Sequence, residues 1–227
     1  MNLDSKKKPI LIITGASGHG LVVHDIVVQT GRFEVVGFLD SGKPEGFQHA
    51  GLKVLGPVEA VAGLLLKHNF SECIVAVGHN AVRRGCVDRI SSTCPTINFP
   101  VVVHPSAVVA PGVVLGEGTV VMAGVVINPG CVIGRHCIIN TGSSLDHDSR
   151  MEDYASLAPG VVTGGNVKIG HGTAICLGAN IINGIHIGSD VVVGAGALVM
   201  HDLCDECVAY GSPARRIRAR KSTDNYL

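Results

Sequence analysis

One histidine in this sequence stands between two carboxylates, in Asp146-His147-Asp148. An imidazole flanked in this way is biased toward protonation and can be fixed in one tautomer, which suits a general base working near neutral pH. A second group of residues suits a different task. Gly15-Ala16-Ser17-Gly18-His19-Gly20 follows the apolar run Ile10-Leu11-Ile12-Ile13 and precedes a helical pattern. Such a turn offers free backbone N–H groups and the positive end of a helix dipole to a phosphate. A purely structural turn is the competing reading. The spacing is G-x-x-G-x-G, not the G-x-G-x-x-G of dinucleotide enzymes, so a nucleotide-linked compound is favoured over NAD. Cys204-Asp205-Glu206-Cys207 has the CxxC form and His201 is near, but a zinc site would want a fourth ligand at suitable spacing. No metal is expected, and this pair reads as packing.

These residues need elements to position them, and a repeat supplies most of the elements. Stepping by six from Val109 gives Leu115, Val121, Ile127, Ile133, Ile139, Leu145, Met151, Leu157, Thr163, Ile169, Ile175, Ile181, Ile187, Val193 and Val199, where only Thr163 is not aliphatic. A helix of 3.6 residues per turn would carry such a stripe around its surface. Four residues after nearly every aliphatic comes a small or β-branched residue, as at Val125, Cys131, Ser143, Ala155 and Ala179. The position after the aliphatic is often Gly, Asn, Asp or Glu, residue types suited to a tight corner. The pattern predicts an all-β left-handed parallel β-helix over residues 104–212, three hexads to a coil, with 213–227 as a C-terminal tail. Leu145 and Ser149 then point inward, so Asp146, His147 and Asp148 occupy an outward corner.

Residues 1–103 read differently, as an α/β domain with a small, Rossmann-like parallel sheet. Strands are expected at 10–14, 34–39, 73–77 and 97–103, with helices at 19–30, 57–67 and 81–92. Asp40 ends the second strand, where such folds often meet a ribose or base. His104 opens the solenoid in a structural role. His136, His171 and His186 read as surface or wall residues.

Bulk properties narrow the function. Hydrophobic residues make up 46% and charged residues 16% of 227, and the formal net charge is zero. Nucleic-acid binding would need clustered cations, and the one basic run, from Arg215 to Lys221, is short. No stretch approaches the ~20 apolar residues of a membrane span. The apolar run after Lys6-Lys7-Lys8 is too short for a secretory leader, so a cytoplasmic location is expected. Most of the eight cysteines sit inside apolar patterns, as small hydrophobes do.

Taken in order, Gly15–Gly20, Phe38-Leu39-Asp40, Ala76-Val77-Gly78-His79-Asn80, His104-Pro105-Ser106-Ala107, Asn140-Thr141-Gly142, Asp146-His147-Asp148, Ala158-Pro159-Gly160-Val161, Gly165–Gly170 and Gly211-Ser212-Pro213-Ala214-Arg215 form a set. It resembles the bacterial sugar acetyltransferases of the bacillosamine and sialic-acid O-acetyltransferase type, over about residues 9–218. The resemblance implies a homotrimer of left-handed β-helices, with acetyl-CoA in the groove between adjacent solenoids and a nucleotide-linked amino sugar held by the N-terminal domain. It implies His147 as general base, with Asp148 orienting it. Gly165 is a candidate oxyanion donor as well as a cofactor contact. Leu177, Gly178, Gly194, Ala195 and Ala197 are expected beside the pantetheine arm, and Pro213, Arg215 and Arg216 near the CoA phosphates. Gly15, Ser17, Gly18, His19, Gly20, Asp40, Gly78 and Asn80 are expected around the substrate. Some relatives carry a second histidine where this chain has Ser156. The implied activity is transfer of acetyl to the amine of a nucleotide-linked 4-amino sugar. Alternatives are O-acetylation of sialic acid or another surface sugar, and a non-catalytic solenoid that binds a sugar or a protein.

Overall fold

The computed structural model describes residues 8–13, 17–68 and 72–226. The N-terminal part alternates β1 (Lys8–Ile13), α1 (Gly18–Thr30), β2 (Phe33–Leu39), a hairpin of β3 (Gln48–His49) and β4 (Leu52–Gly56), a 3-10 turn leading into α2 (Val61–His68), β5 (Cys73–Val75) and α3 (Asn80–Thr93). The sheet order is β3-β4-β2-β1-β5, parallel except at the β3–β4 edge. Neighbouring residues of β2 serve opposite faces: Phe38 packs into one core and Leu39 into another, as the two-residue period of a doubly covered strand requires. α1 buries Gly20, Val23 and Val27 on one stripe. Val23, Ile26 and Val27 share a cluster with Val102, Val120, Met122 and Ile138 of the solenoid, so α1 is packed between the sheet and the solenoid.

The segment 97–103 departs from the expected strand. Asn98 makes a single bridge to Glu72, and Pro100, which lacks an N–H, interrupts the run. Val102–Val103 instead forms β6, the first rung of the solenoid, paired with Val120–Val121.

From β6 onward a two-residue strand recurs every six residues, ending at β22 (Leu198–Val199). Each strand pairs in parallel with those 18 residues away. Val126 pairs with Val108 and Ser144, Val132 with Val114 and Arg150, and Ile138 with Val120 and Ser156. Three hexads therefore close one coil of a left-handed parallel β-helix with three walls. Wall A begins at β6 and carries α1. Wall B begins at Val108–Val109, and wall C at Val114–Leu115. The aliphatic column is buried from Val121 to Val199. Polar residues in the small column are buried but bonded: Thr119 donates to the Gly134 carbonyl at 2.8 Å, Ser143 to that of Asn140 at 2.6 Å, and Thr173 to that of Gly188 at 2.6 Å.

The corners obey a different rule from the one expected. Glycines directly after the aliphatic are there for space. A Cβ on Gly116 or Gly170 would lie 2.5 Å from the backbone of the next coil. Positive φ falls two residues later, at Gly118, Gly124 and Gly142, and at His136, Asp148, Tyr154, Asn166 and Asp190 with φ of 52–61°. After Val199 the register shortens, and Val193 pairs with Ala209. The hairpin β23 (Cys207–Gly211) and β24 (Ala214–Ala219) then closes wall A.

Candidate active site

His147 and Asp148 form the two-residue turn between wall B and wall C, with side chains 61% and 68% exposed. Asp148 sits at φ 61°, and this left-handed turn brings its carboxylate back onto its neighbour, 2.9 Å from His147 Nδ1. Asp146 is held from two sides: Asn128 Nδ2 donates to it at 2.7 Å and the His147 N–H at 2.8 Å. The hydrogen bond to Asp148 raises the His147 pKa above the ordinary histidine value, and the Asp146 charge adds to this. One coil further, Gly165 lies under the imidazole. A Cβ there would stand 2.5 Å from His147 Nε2, although the backbone at Gly165 has no need of glycine. The corner opens onto a groove of about 590 Å³ lined by Asp146, His147, Gly164, Gly165, Asn166, Ile182, Asn183 and Gly184. One imidazole nitrogen thus faces an acid, and the other faces glycine backbone in an open groove.

A second cavity, of about 250 Å³, lies where the N-terminal domain meets wall A. His19, Gly78, Asn140, Ser156, Pro159, Leu177 and Tyr226 contribute to its lining. The parallel register sets the ends of β1, β2 and β5 side by side, Ile13 beside both Leu39 and Val75. Asp40 and Gly78 therefore leave the carboxyl edge of the sheet on either side of the end of β1. His19 is half-buried, and its Nε2 is enclosed with no hydrogen-bond partner among the described residues. Burial, then the Arg83 charge, push its pKa down to about 4. With its pKa that low, the imidazole is neutral near pH 7.

The expected site residues fall into distinct groups. His147 and Gly165 meet at the wall B–wall C corner. Leu177, Gly178 and Ala195 occupy turns of the wall A–wall B corner, and Leu177 also lines the second cavity. Gly194 lies beneath Tyr210, whose Cβ would be 2.6 Å from an added methyl. Ala197 belongs to the buried interior column and faces no groove, a correction to its expected cofactor role. Pro213 follows a cis peptide bond at the turn of the β23–β24 hairpin, and Arg215 and Arg216 are exposed on β24. Ser17 and Gly18 are exposed, Gly20 is buried, and Gly15 lies outside the described residues. Asn80 is 2% exposed and its amide is fully engaged. Nδ2 donates to the carbonyls of Gly172 and Thr173, and Oδ1 accepts from Arg83. Its side chain holds the two domains together and leaves no group for a substrate. Cys204 is exposed and Cys207 buried.

Several residues escaped sequence reasoning. Arg83 is 1% exposed, and all its donors are met by neutral oxygens: the carbonyls of His136, Val77, Gly78 and Tyr154, and Asn80 Oδ1. Burial lowers its pKa to about 10. His136, expected at a surface or wall position, is 3% exposed, stacked on Tyr154 and edged by Phe99. A long polar side chain that crosses a domain junction leaves no periodic trace in sequence.

Comparison with known proteins decides the family. Residues 10–90 match the family model described as the PglD N-terminal domain, and residues 112–147 match that of the bacterial transferase hexapeptide with six repeats. GDP-perosamine N-acetyl transferase from Caulobacter crescentus, solved as a histidine-to-alanine variant with CoA and GDP-perosamine, is 35% identical with a TM-score of 0.87, over 92% of this chain and 97% of that one. The chain belongs to the bacterial hexapeptide-repeat sugar N-acetyltransferases. Another similar structure is the acetyltransferase domain of PglB from Neisseria gonorrhoeae in complex with acetyl coenzyme A, 33% identical with a TM-score of 0.83, over 93% of this chain and all of that one. Curated relatives outside the family match more locally. Serine acetyltransferase of Synechococcus elongatus is 29% identical over 84 residues, 34% of this chain and 34% of that protein. The chain spans about a third of the length of such relatives. Among the described residues, no helix is long and apolar enough to cross a membrane.

Proposed function

We propose that this protein transfers the acetyl group of acetyl-CoA to the amine of a nucleotide-linked 4-amino sugar, with His147 as general base. The observation that carries this reading is the His147 corner: Nδ1 is engaged by Asp148, and Nε2 lies over Gly165 in an open groove. With the Nδ1 proton directed at Asp148, Nε2 keeps its lone pair. It accepts the amine proton as nitrogen attacks the thioester carbonyl and the C–N bond forms. The Gly165 N–H has no acceptor among the described residues, and it is a donor for the oxyanion of the tetrahedral intermediate. Collapse breaks the C–S bond, and the proton on His147 passes to the departing thiolate. Both solved relatives bind CoA or acetyl-CoA, and one also binds a nucleotide-linked amino sugar. The Asp146-His147-Asp148 corner also argues against a non-catalytic solenoid.

One chain presents the two halves of such a site apart. The His147 groove and the His19 cavity share no lining residue, and they sit at different corners. Wall B, which runs between those corners, turns Val108, Val126 and Val162 outward with 62%, 36% and 45% exposure. An apolar stripe on a regular wall suits burial against a second copy. A homotrimer packed through wall B sets the base of one chain beside the sugar cavity of its neighbour, with acetyl-CoA along the groove between them. Leu177, Gly178 and Ala195 would then border the pantetheine arm, and Arg215 and Arg216 the phosphates.

The test is a thiol-release assay with acetyl-CoA and a panel of UDP-, GDP- and dTDP-linked amino sugars. Release with at least one of them, and acetyl amide in the product, is expected. Release only with free sugar hydroxyls would replace this reading by O-acetylation, and no release would end it.

A further inference from the structure

The β24 strand is followed by a segment that returns to the N-terminal domain. Arg220 is 5% exposed and ties this segment down, donating to the carbonyls of Asp190, Ser222 and Asp224 at 2.8–3.2 Å. Asp224 closes the loop by accepting from the Lys221 N–H at 3.1 Å and lying 3.5 Å from Arg218. The loop delivers Tyr226 to the mouth of α3. Its ring lies 4.5 Å from that of His79 at 32°, with the Arg220 guanidinium 5.4 Å from the Tyr226 ring centroid. Its hydroxyl accepts the Asn80 backbone N–H at 2.8 Å. That N–H is one of the free donors at the start of a 14-residue helix with no acidic residue in its first turn. Tyr226 also lines the cavity to which His19 contributes.

A phenol has one proton to donate and can accept as well. Here the accepting role is filled by Asn80, and no described residue accepts the Tyr226 proton. Burial raises the phenol pKa, so the proton is retained at neutral pH. Nearby Arg83 carries a buried charge that no carboxylate among the described residues balances. An unused phenol proton and an aromatic ring thus face one cavity, with the Arg83 charge close by. We infer that Tyr226 is an acceptor-binding residue: its ring forms a wall of the sugar cavity, and its hydroxyl donates to an oxygen of the bound nucleotide sugar. The inference rests on the reading of that cavity as the nucleotide-sugar site.

The test measures acceptor KM, acetyl-CoA KM and kcat for the wild type, Tyr226→Phe and Tyr226→Ala, using whichever nucleotide amino sugar the wild type acetylates. Loss of one hydrogen bond in Tyr226→Phe should raise acceptor KM by about three- to tenfold. Loss of the ring as well in Tyr226→Ala should raise it by about thirtyfold. Neither change should move acetyl-CoA KM more than about twofold, which separates a substrate contact from general damage to the fold. Acceptor KM unchanged in both variants overturns the inference and leaves the proposed function intact. So does a rise in both KM values with a matching loss of thermal stability. A wild type that acetylates none of the nucleotide sugars overturns both.

Discussion

The histidines of the two candidate sites, His147 and His19, sit in opposite electrostatic settings. His147 is exposed on a solenoid corner, between two carboxylates, and its pKa is raised. His19 is enclosed at the domain junction near an unbalanced arginine, and its pKa falls to about 4. The first is built to gain and lose a proton near neutral pH, and the second to stay neutral and offer a hydrogen bond. The difference follows from backbone. The His147–Asp148 turn at the wall B–wall C corner projects its side chains into solvent. A helix that begins between a sheet and a solenoid wall buries them.

Removing the base is the largest way to break this comparison. His147→Ala should lower kcat by about 10²-fold or more, the usual scale of general-base catalysis, with the melting temperature little changed because the side chain is exposed. Turnover near that of the wild type in a steady-state assay would remove His147 from the mechanism. The next effect is steric. In Gly165→Ala the new methyl would stand 2.5 Å from Nε2 and displace the ring, not the backbone, because the far end of an exposed side chain yields easily. A fall in kcat of about tenfold or more is expected with the fold retained, since small misplacements of a reacting group are costly. Gly160→Ala is a poor control because φ there is 69°, whereas at Gly165 space alone is at stake.

Asp148→Asn probes the electrostatic half of the corner. The neutral imidazole is the active base, and a raised pKa sets the acid limb of the pH profile above the usual histidine position. Removing the largest cause of that rise should move the limb of kcat/KM toward lower pH, while the maximum falls because the tautomer is less well held. An unmoved limb would mean that Asp148 does not set the protonation of His147.

How much of this was legible in sequence depends on whether the information is local. The six-residue column from Val109 to Val199 specifies interior, walls and corners, because each residue's neighbours stand at a fixed offset of 18. The outward turn of His147 follows from that register. The junction was not legible. Arg83 reaches from α3 to the carbonyls of His136 and Tyr154, 53 and 71 residues away, and Tyr226 contacts Asn80 across 146. The family resemblance puts Asn80 around the substrate, yet the carbonyls of a solenoid corner claim its amide. Ala197 fell on the interior column of the same periodic pattern that located the core, so its misplacement beside the cofactor was avoidable.

The smallest effect concerns stability, and it tests the junction against the corner. His19 and His136 are both held near pKa 4 by burial and by Arg83. The unfolded chain takes up protons at about 6.5 and the folded chain resists them, so stability is present above pH 6.5 and is lost as the pH falls toward 4. His147 has the opposite sign: its raised pKa contributes stability below 6.5 that disappears as the pH rises through the folded value. Burial makes the junction dominate, so melting temperature should fall by several degrees between pH 6.5 and 4.5. His136→Asn tests the cause. Asparagine tolerates the φ of 52° at this corner, and the variant should melt lower at neutral pH, through lost stacking on Tyr154, but with a shallower dependence on acid. A pH slope identical to that of the wild type would show that the buried imidazole is not what makes the junction acid-sensitive.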